Sequence, residues 1–431
     1  MAGIEFIPFE KTFAVPLRNG LTRPKAVRGM GTKMVNMGEL FAYSRIRNIE
    51  MERVPLTEHE ASSFLLEPGD LLFARQSLVL QGAGKCAVFL GDDEPVTFES
   101  HIIRARLNAA IADPVFFYYF FSSLIGRSAI ESIVEQVAAS GIRSSDLAKL
   151  EVPQIPLSEQ RAIAHILGTL DDKIELNRRM NETLEAMAKA IFKSWFVDFD
   201  PVRAKSEGRD PGLSKHIADL FPDRFQDSEL GEIPEGWEVK FLGELLELAY
   251  GKALKEANRR SGSVPVFGSN GQVGWHNEKL APGPGIIVGR KGNPGMVTWS
   301  PTDFFAIDTT FYVVPRGKCR SLYFLYHALR SQDLASLGAD SAVPGLNRKL
   351  VYMSQAVTPK TPPLDAFDKM VRPIFEQIYH NDEESRTLTA LRDTLLPKLI
   401  SGELRVGNSK QLRGHCDEAK ECEDPQFPRD Y

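Results

Sequence analysis

A seam of mostly apolar residues recurs in this chain at alternating steps of four and three. The first seam comprises Ile163, Leu167, Leu170, Ile174, Asn177, Asn181, Leu184, Ala188, Ile191 and Trp195. A shift of 204 residues gives the second: Phe367, Val371, Ile374, Ile378, Asn381, Ser385, Leu388, Arg392, Leu395 and Leu399. This spacing is typical of coiled-coil helices. The sequence therefore predicts two long helices that arose by duplication.

Local signals give approximate bounds for these helices. Pro156 and Ser158 open the first, and Pro362-Pro363 followed by Asp365 open the second, which ends near Ser401-Gly402. Pro373 lies inside the second pattern, and a proline there should kink the helix or delay its start. Arg392 interrupts the second seam.

The segments that precede the two helices also correspond. In each copy a turn leads into a buried strand that ends at an arginine, Arg75 or Arg290, and a glycine-containing turn follows. Each copy then has an aromatic helical stretch, predicted as core, and a glycine-centred loop, Ser140 to Arg143 or Pro344 to Arg348. The chain is therefore predicted to be an internal duplication with pseudo-two-fold symmetry.

We expect the α+β class: two mixed α/β domains with twisted β-sheets, separated by two long helices that form an antiparallel coiled coil. The predicted bounds are 1–155 for the first domain, 156–198 for the first helix, 199–235 for a linker, 236–362 for the second domain, 363–405 for the second helix and 406–431 for a disordered tail. The linker is rich in Pro, Gly, Asp and Ser, as a surface connection should be.

Composition excludes several classes of protein. A chain of 431 residues with 43% hydrophobic and 25% charged residues is typical of a multidomain globular protein. It has no secretory signal and no apolar run long enough to span a membrane, and its four cysteines show no disulfide or zinc spacing. We therefore expect a cytoplasmic protein. The net charge is −5, but residues 236–360 hold 15 Lys and Arg against 9 Asp and Glu, which permits DNA binding.

Catalytic motifs are incomplete. The stretch Asp424 to Phe427 comes nearest to an adenine methyltransferase signature but lacks its second proline. Gly82 to Cys86 resembles a phosphate-binding loop, but Cys86 replaces the hydroxyl that would ligate magnesium. No histidine has the spacing of a metal ligand. No metal site is predicted.

Five short strings, in order, resemble the specificity subunits of type I restriction-modification systems. They are Leu157 to Arg161, Leu170 to Ile174, Asp198 to Val202, Ile233 to Trp237 and Leu395 to Gly402. The resemblance covers nearly the whole chain. It implies a prokaryotic host-defence protein without catalytic activity, in which two target-recognition domains each read half of a bipartite DNA sequence and the helices set the spacing. A helix of about 40 residues is ~60 Å long, and half-sites one DNA turn apart need ~34 Å.

The resemblance also implies partners. Two methylation subunits dock on the helices and carry S-adenosylmethionine, and restriction motor-nuclease subunits bring ATP-driven translocation and cleavage with magnesium. No cofactor is expected on this chain itself. The predicted docking and spacer residues are Ile163, Leu167, Leu170, Ile174, Leu184, Ile191, Val371, Ile374, Ile378, Leu388 and Leu395.

Candidate DNA contacts follow from side-chain chemistry in the loops. Arginine and lysine bind phosphates or guanine edges, and asparagine and glutamine read adenine. The candidates are Arg75, Lys85, Arg143, Asn270, Gln272, Arg290, Lys291, Asn347 and Arg348.

Two other functions stay open. Asp223, Glu238 and Lys240 have the outline of a metal-dependent nuclease site, in which carboxylates hold magnesium. The long helices alone would also suit a scaffold protein without a role in DNA binding.

Overall fold

The computed structural model describes residues 5–79, 82–136, 140–317, 319–339 and 345–406. The predicted disordered tail beyond Val406, with Cys416, Cys422 and the Asp424–Phe427 stretch, lies outside the described residues, as does Pro344 of the second glycine loop. The chain divides into two compact units. Unit 1 comprises Met1–Glu175 and Ser385–Tyr431, and unit 2 comprises Leu176–Glu384.

The described residues of unit 1 form thirteen short strands and five short α-helices besides parts of the long ones. The strands are β1 (Glu5–Pro8), β2 (Arg18–Asn19), β3 (Thr32–Val35), β4 (Arg45–Arg47), β5 (Arg53–Val54), β6 (Leu71–Ala74), β7 (Gln76–Ser77), β8 (Cys86–Gly91), β9 (Val96–Phe98), β10 (Ile102–Ala105), β11 (Glu135–Gln136), β12 (Ser140–Gly141) and β13 (Glu151–Gln154). The helices are α1 (Met37–Ala42), α2 (Glu58–Phe64), α3 (Pro114–Ser122), α4 (Leu124–Glu131) and α5 (Ser144–Lys149).

The main sheet of unit 1 has the strand order β2-β10-β6-β8-β4. A second sheet, β5-β3-β9, combines an antiparallel and a parallel pair. Helix α3 covers the main sheet; it begins at Asp113, whose side chain accepts a hydrogen bond from Phe116 N at 2.9 Å. Its aromatic residues Phe116 to Phe121 are all buried, so the prediction that they belong to the core is confirmed.

Between the two long helices, the part of unit 2 that the structure describes forms five short α-helices and thirteen strands. The helices are α7 (Asp200–Ser206), α8 (Lys215–Ala218), α9 (Leu242–Leu245), α10 (Leu322–Ser331) and α11 (Arg348–Met353). The strands are β14 (Phe225–Ser228), β15 (Gly231–Pro234), β16 (Glu238–Phe241), β17 (Leu246–Tyr250), β18 (Val264–Gly268), β19 (Gly271–His276), β20 (Gly285–Gly289), β21 (Val297–Ser300), β22 (Phe305–Ala306), β23 (Thr310–Pro315), β24 (Gly338–Ala339), β25 (Gly345–Leu346) and β26 (Gln355–Thr358).

Unit 2 repeats most of the sheet topology of unit 1, with no counterpart of β4 among its described strands. Its main sheet has the order β17-β23-β20-β21, and its second sheet, β19-β18-β22, again combines an antiparallel and a parallel pair. A separate antiparallel pair, β16 with β26, matches β1 with β13. The predicted duplication and the mixed α and β class are therefore present in the fold.

The two long helices are α6 (Leu157–Phe196) and α12 (Thr361–Ile400), close to the predicted spans. Helix α12 begins earlier than predicted and continues through Pro373. Of the two effects expected of this proline, a kink or a delayed start, the delayed start is therefore wrong. Pro373 is exposed. None of the described helices combines the length and the apolar character needed to cross a membrane.

Helix pairing inside each unit is antiparallel. In unit 1, Ile163 and Leu167 of α6 share a core with Leu399 and Ile400 of α12. In unit 2, the rings of Phe192 and Phe196 of α6 pack edge to face against that of Phe367 of α12, with centroids 6.2 and 5.1 Å from its centroid. The seam residues thus pack as the four-three spacing predicts.

The expectation that residues 199–235 form a surface connection is wrong. Phe199, Val202, Phe221 and Ile233 are all buried in the core of unit 2. The ring of Phe221 lies 5.1 Å from that of Trp195, edge to face. These isolated apolar side chains fix the segment against the second domain and the end of α6, although its composition is polar.

Candidate nucleic-acid interface

In unit 2 one edge of the main sheet brings together residues that are distant in sequence. Tyr250, at the end of β17, pairs with Phe311 of β23, which pairs with Val288 of β20. Arg290 follows β20 directly, and its backbone N–H donates to Thr309 O at 2.9 Å. The N–H of Leu346, from the glycine-centred loop, donates to Arg290 O at 2.9 Å. The register therefore places the loop beside the strand ends.

Two arginines share the ring of Tyr250 at this edge. The guanidinium carbons of Arg290 and Arg348 lie 4.9 and 4.8 Å from its centroid. Each also donates a hydrogen bond of 3.3 Å to a backbone oxygen, that of Asp308 for Arg290 and that of Leu248 for Arg348. Tyr250 itself is 51% exposed. Cation–π contacts and backbone acceptors restrict the guanidinium groups while leaving further N–H donors for a ligand.

Other predicted DNA contacts of unit 2 are near this edge. Lys291 is exposed and follows Arg290. The hairpin turn that carries Asn270 is adjacent, because a Cβ on Gly292 would lie 3.3 Å from Ser269 Oγ. Gln272, on the same hairpin, is exposed and donates to Gly274 O at 3.4 Å. The edge is therefore lined by amide and cationic groups.

Asn347 has a structural task at the same edge. Its Oδ1 accepts a hydrogen bond from Lys349 N at 3.0 Å and so caps α11. Two-point recognition of adenine uses both the oxygen and the nitrogen of an asparagine amide. The capping bond engages one lone pair of Asn347 Oδ1, and the contact of Asn347 with DNA stays a prediction.

Unit 1 presents the corresponding edge with different side chains. Arg75 N donates to His101 O at 2.7 Å, and Ile142 N donates to Arg75 O at 2.9 Å. The backbone of Arg290 makes the two equivalent hydrogen bonds in unit 2. Asn19, at the end of β2, accepts a hydrogen bond of 3.2 Å from Ser144 Oγ at the start of α5. Arg75 therefore lies at the equivalent place in the fold.

The other candidates of unit 1 are engaged within the chain. Arg143 is exposed but donates to Glu135 at 2.8 Å. Lys85 Nζ donates to Phe41 O at 2.7 Å and lies 5.2 Å from the ring centroid of Phe41. Burial, assisted by the positive charge of Arg127, lowers the pKa of Lys85. Both residues remain cationic candidates at a surface loop, and their DNA contacts stay predictions.

Sequence reasoning missed Asn19, Ser144 and Tyr250. A weak signal existed, because both Asn19 and Tyr250 precede a glycine. A Cβ on Gly20 would collide with Phe98 O, and one on Gly251 would collide with Ile307 O. This shared close approach marks the two strand ends as equivalent.

The three residues of the alternative nuclease site each lie beside an oppositely charged side chain. Glu238 and Lys240 form an ion pair of 2.8 Å, whereas Asp223 lies 4.0 Å from Arg224. Among the residues that the structure describes, no group of three or more His, Cys, Asp or Glu side chains is placed to hold a metal ion. The nuclease hypothesis therefore gains no support.

The long helices carry buried polar groups as well as the seam. In unit 1, Asp171 accepts hydrogen bonds from Tyr119 Oη at 2.6 Å and from Arg392 at 2.7 Å. Burial, together with the Asp171 carboxylate, raises the pKa of Tyr119. Arg392, which interrupts the predicted seam, therefore has a buried acidic partner.

Unit 2 has an amide layer between the helices. Asn177 Nδ2 donates to Glu384 at 2.9 Å and to Asn381 O at 3.3 Å, and Asn381 Nδ2 donates to Asn181 Oδ1 at 2.8 Å. Buried amides of this kind specify register, because any other alignment leaves them unpaired.

The role of the seam residues in docking another subunit stays a prediction. Ile163, Leu167 and Val371 are at most 1% exposed, and they pack within the chain rather than present a surface. The remaining predicted docking residues are half-buried: Leu170, Ile174, Leu184, Ile191, Ile374, Ile378, Leu388 and Leu395.

Comparison with known proteins adds a family match. The sequence matches the family described as type I restriction modification DNA specificity domain over residues 33–186 and 234–350. It is 28% identical over 413 residues to the type I restriction enzyme HindI specificity subunit of Haemophilus influenzae, covering 79% of this chain and 87% of that relative.

Two further similarities agree. The type I restriction enzyme MjaIX specificity subunit of Methanocaldococcus jannaschii is 27% identical over 314 residues, which is 68% of this chain and 69% of that relative. The crystal structure of a type I restriction-modification system S subunit from M. genitalium shares the fold, with a TM-score of 0.56 and 19% identity over 93% of this chain and 97% of that one. Each family-matched segment contains one of the equivalent arginines, Arg75 or Arg290.

Proposed function

Because the chain belongs to the family of type I restriction-modification DNA specificity domains, we propose that it directs such a complex to a bipartite DNA target. Each unit reads one half of that target with the edge that carries Arg75 or Arg290. The role in DNA recognition is that of the family; the division between two half-sites is our proposal.

The observation that carries this proposal is the repetition of one backbone arrangement in both units. An arginine directly after a central strand is held by two hydrogen bonds, to a neighbouring strand and from a glycine-centred loop. A scaffold that fixes the same cation twice and varies the side chains around it suits two related but different DNA sequences. Charged and amide side chains at such an edge can reach phosphates and base edges.

We assign the spacing of the half-sites to the long helices. Their buried polar contacts fix one register, so the helices act as stiff spacers rather than as flexible tethers. Two methylation subunits dock on the exposed helix faces, and restriction subunits join through them. S-adenosylmethionine, ATP and magnesium then belong to those partners, and this chain contributes recognition of the DNA target instead of catalysis.

Long-read methylation mapping tests the proposal. Cells would express a cognate methylation subunit with or without this chain, and modified adenines would be mapped across their DNA. A split motif with a fixed unspecified spacer, present only with this chain, is the expected result. The same motif without the chain, or no modified motif in its presence despite confirmed complex formation, would contradict it.

A further inference from the structure

Three positions at the arginine edge of unit 1 have exact structural counterparts in unit 2. The first is the end of an outer strand: Asn19 pairs with Ile103 as Tyr250 pairs with Phe311. Those partners pair in turn with Phe73 and Val288, two residues before Arg75 and Arg290. The two sheets therefore coincide in register, residue by residue.

The second position is the arginine itself. Arg75 and Arg290 each donate a backbone hydrogen bond to the neighbouring strand's edge, at 2.7 and 2.9 Å, and each accepts one of 2.9 Å from the glycine-centred loop. Both residues are half-buried.

The third position is the first residue of a helix of six residues, Ser144 of α5 or Arg348 of α11. Each lies two residues after the loop residue that bonds the arginine backbone. In both units the first and third positions touch. Ser144 Oγ donates to Asn19 Oδ1 at 3.2 Å, and the Arg348 guanidinium lies 4.8 Å from the Tyr250 ring.

We propose that these three positions form the base-reading triplet of each unit, in which Asn19 reads an adenine in one half-site and Arg348, oriented by Tyr250, reads a guanine in the other. This inference rests on the proposed function and assigns its specificity to named side chains. The arginine common to both triplets, Arg75 or Arg290, makes the same contact in each half-site.

The chemistry of the side chains supports this assignment. An asparagine amide pairs with the N6 and N7 edge of adenine, and an arginine fork pairs with O6 and N7 of guanine. Ser144 donates to one lone pair of Asn19 Oδ1, which orients the amide and leaves the second lone pair and Nδ2 available. Tyr250 and Leu248 O restrict the Arg348 fork in the same way.

The lysines around the triplet differ from Arg348 in their side-chain chemistry. Lys252, Lys291 and Lys349 are exposed lysines at the same edge of unit 2. A flexible ammonium group suits phosphate contacts, which position a protein without reading sequence. A restrained guanidinium over an aromatic ring suits a base edge, because less conformational entropy is lost when it binds.

The test compares methylation motifs of three chains, each expressed with the methylation subunit: the natural one, Asn19→Ala and Arg348→Ala. We expect Asn19→Ala to relax one A·T position in one half-site only and Arg348→Ala to relax one G·C position in the other half only. A lost bidentate contact should lower discrimination at that position about 5- to 150-fold. The rest of each motif and the spacer length should stay as in the natural chain.

Matched controls remove comparable surface groups away from the edge. Arg316 lies at the opposite end of the same strand pair and bonds Glu247 at 2.6 Å, and Lys149 is the last residue of α5. Arg316→Ala and Lys149→Ala should leave both half-sites unchanged. Arg348→Met keeps a long unbranched side chain at the helix start but has no N–H donor for a base edge, so it should relax the same G·C position as Arg348→Ala.

The outcomes separate this inference from the proposed function. If the natural chain yields no split motif, the proposed function itself fails. If the natural chain yields a split motif and the triplet variants retain that motif unchanged, the base-reading triplet is refuted. It is also refuted if Asn19→Ala and Arg348→Ala alter the same half-site. Thermal melting of each purified complex identifies a variant that fails to fold. In that case Arg348→Met and Asn19→Ser, which lack the guanidinium fork and the amide, should relax the same positions, and an unchanged motif in either would refute the triplet.

Discussion

Removing the guanidinium of Arg392 should destabilise unit 1, although this arginine interrupts an apolar seam. Asp171 is 8% exposed and accepts hydrogen bonds from Tyr119 and Arg392. Deleting one partner of a fully buried pair costs ~3–5 kcal/mol, because the other charge stays buried. The Arg392 side chain is 28% exposed, so solvent screens part of this loss, and we expect about 2–3 kcal/mol for Arg392→Met.

Urea denaturation followed by circular dichroism measures this change. Lys398→Met, on the same helix at an exposed position, is the control and should alter the unfolding free energy by less than ~0.5 kcal/mol. The double variant Asp171→Asn with Arg392→Met removes the unpaired buried carboxylate but keeps an oxygen that accepts the hydrogen bond from Tyr119. It should recover at least about 1 kcal/mol relative to Arg392→Met. An Arg392→Met variant as stable as the natural chain, or strictly additive effects in the double variant, would refute the reasoning.

Three further predictions concern unit 2. Burial lowers the pKa of His327 to about 4, so stability should be full above about pH 6.5, the range of an unfolded histidine, and fall by ~3 kcal/mol towards pH 4; urea midpoints across this range should be flatter in His327→Phe. Phe221→Ala should cost ~3–5 kcal/mol in the same assay, whereas a loss below ~0.5 kcal/mol would restore residues 199–235 as a mere surface connection. Asn381→Leu alone should lower the unfolding free energy by ~1–3 kcal/mol, because it removes the amide that donates to Asn181 Oδ1, and the double variant with Asn181→Leu should regain part of that loss; an undiminished loss would contradict pairing across the helices.

The long helices and the duplication were predictable because their signals are periodic. The burial of a residue such as Leu167 or Phe367 is predicted from apolar neighbours three and four positions away, and those neighbours are visible in the sequence. The burial of Phe199 and Phe221 was not predictable in this way. Each stands alone among polar residues, and only the tertiary fold supplies the apolar surface that covers it.

The arginine edge was only partly visible for a related reason. Arg75 and Arg290 stood out because a buried strand and a turn bracket each of them. Asn19 in unit 1 and Tyr250 in unit 2 each lie at the arginine edge of their own unit because of hydrogen-bonded register across three strands. Such pairing leaves no local pattern in the sequence. Arg392 looked like a defect in its seam because its partner, Asp171, is 221 positions away.

DNA binding by the purified complex of this chain with its methylation subunit tests the central claim most directly. Affinities would be measured at one salt concentration for the mapped target, for targets with either half scrambled, and for fully scrambled DNA of equal length. We predict that the intact target binds ~10³-fold or more tightly than fully scrambled DNA, and that scrambling either half alone removes part of this preference. Equal affinity for all four DNAs, or a preference that depends on one half only, would contradict the account.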